Sequence, residues 1–260
     1  MADIRLTSDD GGIRHLTLDA PQRRNALDTT MLAEMAAAVR EVRDDRDARV
    51  LVVSGNGRSF CAGADLSSLF GDPTRAPAAI RDDLKQVYAS FLGITDLTIP
   101  SIAAVHGQAV GAGVNIALAC DVVVAAPDAS FAVTFAEIGL HPGGGCSWLL
   151  TRRLGPGKAL DVILSADRLS GTEAARLGLV TRLSDDPVGT AQEMAKVYAG
   201  RELGMLRNMK RAVTMSTEAS LATVLEFESW AQASSVNGER FHDFLARFAP
   251  TPSSPAPSAP

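Results

Sequence analysis

Two glycine-containing segments hold the chemistry this sequence offers. The first runs Gly55-Asn56-Gly57-Arg58-Ser59-Phe60-Cys61-Ala62-Gly63-Ala64-Asp65-Leu66 and follows an apolar run at 49–53. The second runs from Gly107 to Asn115, follows the apolar Ile102–Val105, and passes through an alanine-rich stretch into Cys120-Asp121. A strand feeding a helix N-terminus leaves backbone N–H groups unpaired at the positive end of the helix dipole. Two such strand ends lying side by side can aim an N–H each at one point, and two convergent N–H groups form an oxyanion hole. One turn into the second segment stands Asn115, an amide where proton-transfer chemistry would place an acid or a base.

Other chemistries are poorly supported. The glycine spacing 107, 111, 113 is not the G-x-G-x-x-G of a dinucleotide site, and Gly155-Pro156-Gly157-Lys158 continues into Ala159, without the Ser or Thr of a phosphate-binding Walker loop. Cys61, Cys120 and Cys146 are odd in number and widely spaced, which argues against a disulfide framework or a zinc site. They read as small buried apolar residues, with a nucleophilic role for Cys61 or Cys146 as the alternative. A net charge of −5 without a basic cluster argues against nucleic acid as a partner. The apolar stretches are too short to insert in a membrane and no secretory leader opens the chain, so a cytoplasmic protein is expected.

The elements that position the glycine segments follow from periodicity. Residues 3–18 alternate around Asp9-Asp10-Gly11-Gly12 as a hairpin, and after the turn at 21–27 Asp28 caps a helix through Met31, Leu32, Met35, Val39 and Val42. Short buried strands are expected at 49–54, 101–105 and 121–125, with helices at 77–94 and 113–119. This alternation predicts an α/β core with largely parallel strands, a design that binds ligands at strand C-termini. From about Gly155 the strand signal fades and helices are expected at 157–165, 172–177, 188–200, 203–215 and 218–236. The organisation is then an α/β core over 1–200, a helical C-terminal region over 201–249, and a disordered tail over 250–260, which holds five of the thirteen prolines.

Arg24-Asn25-Ala26-Leu27, Phe60-Cys61-Ala62-Gly63-Ala64-Asp65-Leu66, Pro100 to Gly107 with Gly111-Ala112-Gly113, Cys120-Asp121, and Ala174-Ala175-Arg176-Leu177-Gly178-Leu179-Val180 together resemble the crotonase, or enoyl-CoA hydratase/isomerase, superfamily over residues 3–248. The resemblance implies a crotonase-like spiral of strand-strand-helix turns, a helical C-terminal trimerisation region, and a homotrimer or dimer of trimers. It implies an acyl-CoA thioester as substrate, with coenzyme A entering as part of it and no metal or further cofactor. Carried over by position, the oxyanion-hole N–H groups would be those of Ala62 and Ala112. Arg24, Ala26, Ala64, Asp65 and Leu66 match the coenzyme A groove, joined on the acyl side by Gly111, Phe135, Pro142 and Gly143. Asp65 also reads as a helix cap, and Arg24 as an exposed loop arginine.

The same resemblance marks a departure. The two glutamates of the hydratases fall on Asn115 and Phe135, and the aspartate of the dienoyl-CoA and epoxyphenylacetyl-type isomerases falls on Gly143. The wording around Gly111–Asn115 and Thr134–Leu140 resembles the epoxyphenylacetyl-type branch most. Three residues are candidates for the proton-transfer work. Glu137 is one, although a helix turns roughly 200° over two residues and would face it away from Phe135. His141 is another, because an imidazole titrates near neutrality. Asn115 could hold a water or substrate oxygen without moving a proton. A hydratase or isomerase is expected, with a non-catalytic acyl-CoA-binding protein, or a thioester hydrolase or decarboxylase, as alternatives.

Overall fold

The computed structural model describes residues 2–72 and 74–248, so the stretch 250–260 read as a tail lies outside the described residues. Strands β1 (Ile4–Ser8) and β2 (Ile13–Leu18) form the expected antiparallel hairpin. A single 3₁₀ turn at Pro21–Arg23 leads to α1 (Thr29–Asp44), whose first turn is capped by Asp28 accepting from the Met31 N–H at 2.8 Å. Then follow β3 (Val50–Gly55), α2 (Leu66–Phe70), α3 (Pro77–Leu92), β4 (Ser101–Val105), β5 (Gln108–Val110), α4 (Ala112–Ala119), β6 (Val122–Ala125) and β7 (Ser130–Ala132). The remainder is α5 (Cys146–Leu154), α6 (Pro156–Ser165), β8 (Arg168–Ser170), α7 (Gly171–Leu177), β9 (Arg182–Leu183), α8 (Pro187–Ala199), α9 (Leu203–Met215), α10 (Leu221–Val236) and α11 (Glu239–Ala246).

The main sheet has the order β1-β2-β3-β4-β6-β9, parallel from β2 onward, and a second, three-stranded sheet has the order β5-β7-β8. Strand alternation divides the main sheet between two cores. Leu16, Leu51, Val53, Ala103, Val105, Val123 and Ala125 join α1 and α4 in the larger cluster, while Ile13, Val50, Val52, Ile102, Ala104 and Val124 pack on Ala191, Met194 and Ala195 of α8. Burial on both faces is why these strands read as continuous apolar runs.

The expectation that strands end near Gly155 is corrected by β8 and β9. Both are short, and β9 pairs with β6 through Arg182 and Leu183, which are exposed and carry no apolar alternation. The chain forms two compact units, one ending at Leu206 and the next beginning at Arg207, so the division falls within α9 rather than after residue 200. Within the second unit the Arg211 guanidinium lies 5.0 Å above the Phe227 ring, and Phe244 lies between Phe241 and Phe248, with centroids 6.4 and 4.7 Å away.

The turn before α1 is fastened by one side chain. Asn25 is fully buried with φ +56°, and its Oδ1 accepts from the Ala20 N–H at 2.8 Å. Its Nδ2 reaches the carbonyls of Ser59 (2.8 Å), Asn56 (3.0 Å) and Phe60 (3.1 Å). The Cys61 thiol donates to the Asn25 carbonyl at 3.2 Å. Burial pushes the Cys61 and Cys146 thiols each up to about 12, and Cys120 is buried as well. Their setting answers the nucleophile alternative, since at neutral pH such thiols hold their protons.

Two outcomes follow from this packing. Asn25→Ala leaves the Ala20 N–H and the carbonyls of 56–60 without their partner and puts an alanine in the left-handed region. It should cost about 3–5 kcal/mol in urea unfolding, and a loss below about 1 kcal/mol, within the range of ordinary surface substitutions, would remove the staple from this account. At pH 8 the thiolate fraction of Cys61 and Cys146 is on the order of 10⁻⁴, so the native protein should show no fast reaction with a disulfide reagent. Rapid titration of a thiol before unfolding would contradict the burial.

Candidate active site

The two glycine segments do meet, and their hydrogen bonding decides which N–H groups are free. The segment after β3 is held on one side by a parallel bridge between Cys61 and Ala109, with Cys61 N–H donating to Gln108 and Val110 N–H donating to Cys61. On the other side a parallel bridge joins Leu27 and Ala64: Leu27 N–H donates to Gly63 at 2.8 Å, and Asp65 N–H donates to Leu27 at 2.8 Å. In such a bridge the central residue's own N–H and C=O point away from the partner strand. The N–H of Ala64 thus turns away from Leu27 and, among the described residues, has no backbone acceptor. The expected Ala62 donor is corrected here, because its N–H donates to the Arg24 carbonyl at 2.9 Å.

The second donor comes from α4. Gly111 is the N-cap, with φ +50°, and the Asn115 N–H returns to its carbonyl; Ala112 is the first helical residue, and among the described residues its N–H has no backbone acceptor. Close approach of the two segments requires Gly113, where a Cβ would stand 2.5 Å from the Cys61 carbonyl oxygen. Ala64 and Ala112 both line one cavity of about 370 Å³. The arrangement offers two backbone donors and a helix N-terminus to an oxygen placed there.

Ala62, Leu66, Gly111, Asn115, Phe135, His141, Pro142 and Gly143 line the same cavity. Asn115 is buried; its Nδ2 donates to the Gly143 carbonyl at 2.9 Å, which leaves its buried Oδ1 without a partner. An unpaired buried acceptor is costly and calls for a donor from a ligand or a water. His141 is exposed at the rim, with Nδ1 2.8 Å from the Pro142 carbonyl.

Four of the sequence candidates lie off the cavity wall. Arg24 is exposed with φ +56°, and among the described residues it forms no ion pair; Ala26 accepts from Arg23 Nε at 2.9 Å. Asp65 caps α2, accepting from the Ser67 hydroxyl at 2.6 Å and the Ser67 and Ser68 N–H groups, and the Ser67 hydroxyl is foremost in holding its carboxyl below the usual range. Glu137 is exposed and faces Leu164–Arg168, away from the cavity. Residues 134–139 form successive turns rather than the expected helix end, so the helical argument does not apply to Glu137, yet it still points outward.

One wall was missed. Leu84, Val87, Tyr88 and Phe91 of α3, with Leu69 and Phe70 of α2, complete the cavity. The spacing 84, 87, 88, 91 is one helical face and was available as a signal, but it looks the same for a core stripe as for a pocket wall. Burial pushes the Tyr88 phenol above its ordinary value, against the opposing hydrogen bond from the Gly144 backbone. Among the described residues no group of three or more His, Cys, Asp or Glu side chains is placed to hold a metal ion, and no helix is long and apolar enough to cross a membrane.

The family model for enoyl-CoA hydratase/isomerase matches residues 8–252. The Mycobacterium tuberculosis H37Rv protein "Probable enoyl-CoA hydratase EchA14" is 42% identical over 196 residues, 74% of each chain. The 1,2-epoxyphenylacetyl-CoA isomerase of Escherichia coli K12 is 33% identical over 231 residues, 88% of each chain. The crystal structure of an enoyl-CoA hydratase from Polaromonas sp. JS666 superposes with a TM-score of 0.85 at 31% identity, covering 94% of this chain and 96% of that one. With the α/β core, the helical C-terminal region and the converging glycine segments, these likenesses establish that the chain belongs to the enoyl-CoA hydratase/isomerase family and has the crotonase fold.

Proposed function

We propose that the protein binds an acyl-CoA thioester with its carbonyl oxygen between the N–H groups of Ala64 and Ala112, and hydrates a 2-enoyl thioester there. One observation carries this reading: two backbone N–H groups without backbone acceptors share an apolar cavity with a buried, unpartnered amide oxygen. Donors fixed in advance at the carbonyl oxygen stabilise the enolate more than the ground state, and this polarisation makes the β-carbon electrophilic. Asn115 Oδ1 accepts a hydrogen from the attacking water and orients it, since an amide accepts and donates hydrogen bonds without taking up a proton at neutral pH. The Leu66, Leu69, Phe70, Leu84, Val87 and Ile138 side chains give the acyl chain an apolar surface. Arg24 and Ala26, beside the bridge that positions Ala64, belong to the coenzyme A side of the site, with the exposed Arg24 guanidinium available to a phosphate.

A binding protein without turnover is the second reading. Its support is that, among the described residues, no carboxylate lines the cavity. For assembly, the exposed Leu221, Leu225, Trp230, Phe244 and Phe248 of the second unit support a homotrimer or a dimer of trimers, which sedimentation would resolve.

Calorimetry with acyl-CoA, together with loss of the crotonyl-CoA enone absorbance, separates the two readings. Binding with turnover is the expected result; binding alone selects the second reading, and failure to bind any acyl-CoA at millimolar concentration would sink the site. Ala112→Pro removes one donor at the first helical position, where proline is well tolerated. It should lower turnover by about a hundredfold with an unchanged circular dichroism spectrum, whereas an unaffected rate would remove Ala112 from the oxyanion site.

A further inference from the structure

We propose that Tyr88, on α3, is the proton donor of the reaction, standing in the space that a side chain at position 143 would fill. The inference rests on the hydratase reading above and adds the group that reading lacks. Among the described residues, the titratable side chains lining the cavity are Tyr88 and His141. His141 is exposed, and because its Nδ1 faces a carbonyl it donates its hydrogen within its own loop. Tyr88 is half-buried and enters from the α3 wall.

Its relation to Gly143 is specific. A Cβ built on Gly143 would overlap the Tyr88 hydroxyl and lie 3.0 Å from Cζ. Gly143 does not have a left-handed φ, unlike Gly144 and Gly145, so its conformation does not demand glycine. The phenol does: α3 delivers a hydroxyl to the site where the loop would otherwise project a side chain. The Gly143 carbonyl is tied to Asn115 Nδ2 at 2.9 Å, on the same residue whose Cα faces the phenol. Tyr88 and Asn115 thus both lie against Gly143, one filling its side-chain space and the other bonded to its carbonyl. Among the described residues no group accepts a hydrogen bond from the phenol, so its hydrogen is left for the cavity. Burial keeps that hydrogen in place through neutral pH, which suits an acid rather than a base.

The step balances with water as co-reactant. The water oxygen bonds to the β-carbon as the C=C π pair moves to the α-carbon. The α-carbon takes the phenol proton, and the O–H electron pair stays on the Tyr88 oxygen. The proton shed by the added water returns to the phenolate, so the net change is addition of water to the enoyl thioester.

The test uses the full-length protein and crotonyl-CoA. Tyr88→Phe keeps the ring and removes the oxygen; kcat should fall about a hundredfold while acyl-CoA affinity by calorimetry holds. Tyr88→Ala/Gly143→Asp clears the ring and puts a carboxyl in the vacated space. It should regain turnover over Tyr88→Ala, with a rate that declines as pH rises above the carboxyl range, whereas the wild-type rate holds through neutrality. Wild-type turnover with Tyr88→Phe equally active overturns the phenol's role alone, and so does loss of turnover in His141→Ala but not in Tyr88→Phe. Acyl-CoA binding without wild-type turnover overturns the hydratase reading and this one together.

Discussion

The site depends on a short suture between two backbone segments distant in sequence, and Asn25 is its central knot. One buried amide satisfies an N–H at residue 20 and three carbonyls between 56 and 60. Asparagine suits this place because it donates and accepts at once and tolerates the left-handed backbone of the turn. Around it the Ala62–Arg24, Leu27–Gly63 and Asp65–Leu27 hydrogen bonds fall into register. The direction of the Ala64 N–H is therefore set more than thirty residues upstream, by a side chain that never touches the cavity.

The other half of the site is built with the opposite economy. Gly111, Ala112 and Gly113 are small because α4 must begin against the Cys61 carbonyl, and its body is buried from Gly113 to Ala119. A buried helix start is expensive unless its first N–H groups find partners. Here one of them, that of Ala112, belongs to a residue of the cavity wall. Asn115 repeats the pattern one turn further in, with one end of its amide satisfied by Gly143 and the other open.

Much of this was legible in the sequence, and the failures have physical causes. The strands over 50–55 and 101–105 and the helices over 29–44, 77–92 and 187–199 announced themselves by periodicity and caps, because burial on one or two faces writes itself into side-chain spacing. Strands such as Arg168–Ser170 and Arg182–Leu183 did not, since two or three residues carry no period. Converging glycine segments were visible, yet the choice between Ala62 and Ala64 was not. Both are alanines, and only the pairing partner of each N–H distinguishes them. Tyr88 escaped for a different reason: its contact with Gly143 spans fifty-five residues, and nothing local to either position signals it.

Ala62 and Ala64 lie two residues apart, and a regular strand would turn their N–H groups to the same side; Gly63, at φ +98°, leaves one directed at Arg24 and the other away from Leu27. The direction of the Ala64 N–H is thus a property of this turn and its bridge rather than of the side chains that line the cavity. Side chains of the cavity wall can therefore change without redirecting that N–H. The glycine at 63 does not share that freedom. Any residue larger than glycine at 63 would set its Cβ 2.9 Å from the Val110 carbonyl oxygen in a left-handed backbone.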